Sequence, residues 1–201
     1  LLNYKNIDHD PALKDHKLNK FNQAFLRHPE RFVVFRALAD TPTMTPLRVP
    51  SLMTGNIPKL GDILNVFGAS PVEEDSIPRQ LYRQNKTSYF TGDPLIKEAF
   101  PKYFQFDPNA THLNMTDWRV DEATHNFTFT KLQENNFDFL AAHVTRLDHM
   151  GHYVGLDSNR VIHAIEDVDR FLVRLTRNID ENTMLLFVGD HGMTKAGTHG
   201  D

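Results

Sequence analysis

Three short polar clusters carry the side chains in this sequence that could do chemistry together. The first is Ala39-Asp40-Thr41-Pro42-Thr43-Met44-Thr45-Pro46, in which Thr45 supplies a hydroxyl. The second is Arg146-Leu147-Asp148-His149-Met150-Gly151-His152, and the third is Gly189-Asp190-His191-Gly192-Met193, with His199 eight residues beyond His191. A carboxylate and an imidazole four residues apart, as Asp148 and His152 are, can close on one ion. Asp190, His191 and His199 add further oxygen and nitrogen donors. The chain has 0 Cys, so any metal must be held by His, carboxylate or hydroxyl oxygen. That donor set suits zinc better than manganese.

Thr45 followed by Pro46 is the pattern of a helix N-cap with proline at the first helical position. A helix N-terminus favours an anion such as phosphate, and a hydroxyl placed there can attack one. Each cluster also has a bland reading. Thr45 could simply cap a helix, Asp148 and His152 could be a solvated pair, and Asp190 with its glycines could mark a turn.

The elements that would position these clusters decide between the readings. Runs rich in β-branched and aromatic residues predict strands over Phe32–Leu38, Thr87–Thr91, Phe137–Val144 and Met184–Val188. Between them lie helical patterns. The clearest is Ser158–Arg177, where Val161, Ile165, Val168, Leu172 and Leu175 recur three or four apart; weaker ones are Lys17–Arg27, Glu74–Gln84 and Val120–Glu134. Strands alternating with helices predict one α/β domain over residues 1–201, with a largely parallel sheet flanked by helices. In such sheets ligands gather beyond the carboxyl ends of the strands, where all three clusters fall. Their coincidence there favours function over decoration.

Composition sets the outer limits. The 201 residues are 40% hydrophobic and 24% charged with a formal net charge of −4, which offers no basic field for nucleic acid. No apolar run is long enough to span a membrane, and the first residues do not read as a signal peptide. Asn-x-Thr triplets at Asn85, Asn109, Asn114 and Asn126 permit N-glycosylation of a chain that enters the secretory pathway. Arg48, one turn after Thr45, could face phosphate, although an exposed helix position is the commoner fate of arginine. His143 is expected in the core or behind the site and His149 is a spacer. His9, His16, His28, His112, His125 and His163 read as surface residues.

Pro42-Thr43-Met44-Thr45 leading to Leu52-Met53-Thr54-Gly55, then Leu147-Asp148-His149-Met150-Gly151-His152, Gly189-Asp190-His191-Gly192-Met193 and Thr198-His199-Gly200 resemble the GPI ethanolamine phosphate transferases in order and spacing. Glu74-Asp75-Ser76-Ile77, Gly92-Asp93 and Ala99-Phe100-Pro101 resemble them too, so the likeness runs from about Phe32 to the end. It implies an alkaline-phosphatase-like fold with two zinc ions. Asp148, His152 and His199 would hold one; Asp190, His191 and an Asp from a strand ahead of this chain would hold the other. On that resemblance the chain is the central part of a lumenal catalytic domain, without its first strand. Thr45 becomes the nucleophile and a metal-contacting group. The donor is phosphatidylethanolamine, and the acceptor is the second or third mannose of the GPI precursor glycolipid. The parent protein sits in the endoplasmic reticulum membrane, with a small membrane partner subunit. Departures from the family pattern are Gly200-Asp201 after the last His, Pro94 after Asp93, and Pro50 inside the nucleophile helix. A phosphodiesterase or nucleotide pyrophosphatase of the same superfamily, passing the group to water, is the alternative enzyme; a non-catalytic lumenal module is the alternative outside catalysis.

Overall fold

A computed structural model describes residues 18–35, 37–58, 71–111 and 119–200. His9, His16, Lys17, His112, Asn114 and Asp201 lie outside them. In chain order the elements are α1 (Asn19–Arg27), α2 (Thr45–Thr54), α3 (Ile77–Arg83), β1 (Ser88–Thr91), α4 (Leu95–Ala99), β2 (Gln105–Phe106) and α5 (Pro108–Thr111). Then come α6 (Arg119–Glu134), β3 (Phe139–Ala142), α7 (Arg146–Val154) and α8 (Asn159–Asn178).

The sheet runs β2-β1-β3 and is parallel throughout, with Tyr89 opposite Gln105 and Leu140 in the two ladders. Strand alternation assigns the faces of β1. Phe90 packs with Val49 of α2, Ile96 of α4, Phe100 and Phe104. On the other face Tyr89 meets the Phe127 ring and the Thr91 hydroxyl meets Asp107 and Thr124, so α6 covers that side. A second core joins Phe129 of α6 to Val168, Phe171, Leu172 and Leu175 of α8. The expected α/β architecture, a parallel sheet between helices, is therefore present.

Of the α8 stripe read from the sequence, Val161, Val168, Leu172 and Leu175 are buried and Ile165 is half-buried, and Ser158 caps the helix by accepting from the Arg160 N–H. Two predicted strands are absent among the described residues. Residues 32–35, 37–38 and 184–188 make no ladder, and Val33, Phe35, Leu38, Met184 and Leu186 are exposed. The apolar pattern was read correctly, but a strand exists only by pairing, and neither segment has a ladder partner among the described residues. Pro50 does not interrupt α2. The helix continues to Thr54 and ends at Gly55, whose φ of 73° is the left-handed terminus that glycine accepts without a Cβ penalty.

Candidate metal centre and nucleophile

Thr45 opens α2 rather than capping it. Met44 is extended and occupies the cap position, and its carbonyl accepts the Leu47 and Arg48 N–H groups, each at 2.9 Å. The Thr45 hydroxyl is thus left out of helix capping and lies 3.1 Å from His191 Nε2.

Asp148 and His152 sit four residues apart on α7, which brings both to one side of the helix. His199 arrives from the chain end: its Nε2 is 2.9 Å from His152 Nε2 and 3.3 Å from Asp148 Oδ1. His152 Nε2 is 3.5 Å from Asp148 Oδ2. One ligand atom from each of the three residues falls within 4.8 Å of the others, the spacing of a group able to hold an ion. Asp190 and His191 form the neighbouring pair, with His191 Nε2 3.4 Å from Asp190 Oδ2. The His191 and His199 rings stack at 3.8 Å between centroids, so the two groups are contiguous.

Two observations fit this cluster to cations. Asp148 Oδ1 and Asp190 Oδ2 are buried and make no hydrogen bond, although each has an imidazole nitrogen nearby at a poor angle. A buried carboxylate oxygen without a partner is costly unless a cation meets it. In addition, His199 Nδ1 lies 2.6 Å from the Thr43 carbonyl and His191 Nδ1 lies 3.0 Å from the Gly192 carbonyl. A carbonyl can only accept, so each Nδ1 carries a proton, which leaves Nε2 of the neutral ring with a lone pair. A carbonyl behind the ring is the usual way to fix the orientation of an imidazole that faces a metal.

Backbone packing holds the loop of His199 against α7. Gly197 has φ +81°, and a Cβ there would lie 2.0 Å from the Gly151 carbonyl oxygen; a Cβ on Gly151 would lie 2.2 Å from Met193 Sδ. Gly151 lies inside α7, where its lack of a side chain admits this loop.

Arg48 is buried, not exposed. Its Nε donates to the Asp190 carbonyl at 3.3 Å and Nη2 to the Leu38 carbonyl at 3.5 Å, with Asp40 3.8 Å from Nη1. It ties the Thr45 helix to the Asp190 segment. Thr43, not singled out in the sequence, holds His199 through its carbonyl and accepts the Gly200 N–H on its hydroxyl at 2.8 Å. His125 is half-buried, stacked on Phe171 at 4.0 Å, and burial pushes its pKa below the ordinary 6.5 against the opposing pull of Asp121 and Asp167. Only its place in the second core reveals this, because a single histidine on a helix has no periodicity of its own.

Residues 70–199 match the model of the type I phosphodiesterase / nucleotide pyrophosphatase family, and the chain belongs to that family. The match contains Asp148, His152, Asp190, His191 and His199, while Thr45 precedes it. Within the family's relatives, the chain is similar to GPI ethanolamine phosphate transferase 3 of Schizosaccharomyces pombe, with 31% identity over 176 residues, 86% of this chain and 19% of that protein. It is 30% identical over 174 residues to human GPI ethanolamine phosphate transferase 2, catalytic subunit, covering 83% of this chain and 18% of that protein. It is 28% identical over 185 residues to the human transferase 3 catalytic subunit, covering 92% of this chain and 17% of that protein. The chain thus spans less than a fifth of the length of these relatives.

Proposed function

We propose that this chain forms the catalytic centre of a phosphoethanolamine transferase acting on a GPI precursor, with Thr45 as nucleophile and two zinc ions as cofactor. Asp148, His152 and His199 hold one ion, and Asp190 and His191 belong to the other. The carrying observation is the 3.1 Å approach of Thr45 Oγ1 to His191, beside an imidazole and carboxylate group with two unpartnered oxygens. When bound, the ions supply charge neutralisation for the phosphate oxygens and a lowered pKa for a nearby hydroxyl.

Thr45 Oγ1 bonds to the phosphorus of phosphatidylethanolamine, and the bond from phosphorus to the diacylglycerol oxygen breaks. The Thr45 proton ends on the departing diacylglycerol. The chain then carries phosphoethanolamine on Thr45. A mannose hydroxyl of the second or third mannose attacks the same phosphorus, the bond to Thr45 Oγ1 breaks, and the mannose proton returns to Thr45. The relatives' names support the transferred group and the GPI substrate; the "catalytic subunit" of the human names fits a partner subunit in the membrane. Exposure of Asn85, Asn109 and Asn126 fits a lumenal domain of the endoplasmic reticulum that can be glycosylated. Among the described residues no helix is long and apolar enough to cross a membrane.

The test is mass spectrometry of the peptide containing Thr45 after incubation of the full-length protein with phosphatidylethanolamine. A phosphoethanolamine increment on Thr45 that is discharged by a mannose glycoside and absent in Thr45→Ala is expected, with Thr45→Ser partly active. An Ala variant as active as the parent overturns the assignment, and discharge to water at the same rate with or without glycoside favours the hydrolase.

A further inference from the structure

The helix that carries Asp148 and His152 has no cap of its own. Thr145 stands at its cap position with helical dihedrals and no side-chain bond to the first turn. The free N–H groups there are instead met from another helix. Asp121, in the first turn of α6 and 7% exposed, accepts the Thr145 N–H on Oδ1 at 2.8 Å. The Arg146 N–H lies 3.3 Å from Oδ1 and 3.2 Å from Oδ2, and the Thr145 hydroxyl lies 3.4 Å from Oδ1. A buried carboxylate against a helix N-terminus is held by both the N–H groups and the helix dipole.

We infer that Asp121 is a positioning residue for the metal centre: it sets the start of α7 and thereby where Asp148 and His152 point. Asp148 lies two residues beyond Arg146, so a slip at the start of the helix reaches the ligand within a single turn. The segment entering α7 is clamped on its other side as well. The His143 N–H donates to the Thr91 carbonyl at 2.9 Å, and a Cβ on Gly92 would lie 2.2 Å from the His143 carbonyl oxygen. Arg146 Nη1 reaches Asp167 of α8 at 2.7 Å. Asp121 is outside the ligand group, so its action on the ion runs through the helix alone. This role rests on the metal reading above.

The structure contains a matched control. Asp169, 4% exposed, caps α1 from α8 in the same manner, accepting the Phe21 N–H at 2.8 Å and the Lys20 N–H at 3.0 Å, and α1 likewise lacks a side-chain cap. Both carboxylates terminate a helix in trans, and only one of those helices bears ligands.

The experiment measures zinc affinity by chelator competition, and the visible spectrum of the cobalt-substituted protein, for the parent, Asp121→Asn and Asp169→Asn. Asparagine keeps the side chain's shape and one acceptor oxygen. Asp121→Asn is expected to weaken zinc binding about 10- to 100-fold, as outer-shell changes do, and to alter the cobalt bands. Asp169→Asn is expected to keep the parent's affinity and spectrum. Equal affinities in all three, or equal losses in both variants, overturn the inference. Hydrogen exchange of the parent gives a reading that does not depend on a variant folding: the Thr145 and Arg146 amides should be protected without added metal, and exchange at unprotected rates sinks the cap. A parent that takes up no zinc removes the metal reading and this role with it, whatever the amides show.

Discussion

Gly197→Ala should empty the centre formed by Asp148, His152 and His199 while leaving the rest of the chain folded. Two costs fall on that substitution. At φ +81° an alanine must adopt the left-handed region, which costs about 1–2 kcal/mol. Its Cβ would also stand 2.0 Å from the Gly151 carbonyl oxygen and 3.3 Å from His152 Cα, and both are backbone atoms that no rotamer change can move. Ordinary contact begins near 3.4 Å, so the 194–198 turn must withdraw from α7 by about 1.4 Å, carrying His199 with it. Zinc ligand distances tolerate only about 0.2 Å. The shift is several times that tolerance, so zinc affinity should fall at least about 100-fold, near 2.8 kcal/mol.

Chelator competition measures this directly, with Gly55→Ala as control. Gly55 shares the left-handed conformation at φ +73° but has nothing within 4 Å of a Cβ. It should lose only about 1–2 kcal/mol of stability, the cost of the left-handed backbone, and keep the parent's zinc affinity. Gly197→Ala binding zinc like the parent would show that this turn does not set the position of His199.

Arg48→Met keeps the apolar stem and deletes the bonds to the Asp190 and Leu38 carbonyls, so urea unfolding should show a loss of about 2 kcal/mol; an unchanged midpoint would mean that these long bonds contribute nothing. The contact with Asp40 adds little, because that carboxylate is half in water. His125, whose pKa is lowered first by burial and further by Arg174, gives stability a pH dependence of definite sign. As pH falls through 6.5 the unfolded chain protonates this ring before the folded one does, so stability declines until the folded ring also protonates, and then levels off. His125→Phe retains the stack on Phe171 and should shrink the difference in melting temperature between about pH 8 and about pH 5.5; an undiminished difference would assign the effect to other groups.

The proposed metal-binding group stood out in the sequence because its members are polar residues with fixed spacing at the ends of apolar runs. Asp148 and His152 share a helix, and Asp190 and His191 are adjacent, so local order alone nearly places them. The α8 stripe was legible for the same reason, since its burial repeats with the helix period. What escaped were pairings between distant segments. Asp121 reads as an ordinary first-turn acid of α6, and nothing in its neighbours says that its carboxylate caps a helix 24 residues later. The burial of Arg48 escapes a sequence reading because it depends on carbonyls at Asp190 and Leu38 that no local pattern reveals. Residues 32–38 and 184–188 have strand composition, yet a ladder needs a neighbour, which composition cannot supply.

The most direct test of the two-metal account is anomalous diffraction from zinc-grown crystals, with data collected on both sides of the zinc absorption edge. One peak is expected within the group of Asp148, His152 and His199 and a second beside Asp190 and His191, with Thr45 Oγ1 next to the pair. Well-ordered crystals with no peak at either place, or with zinc bound only at surface histidines such as His28 and His163, would contradict it.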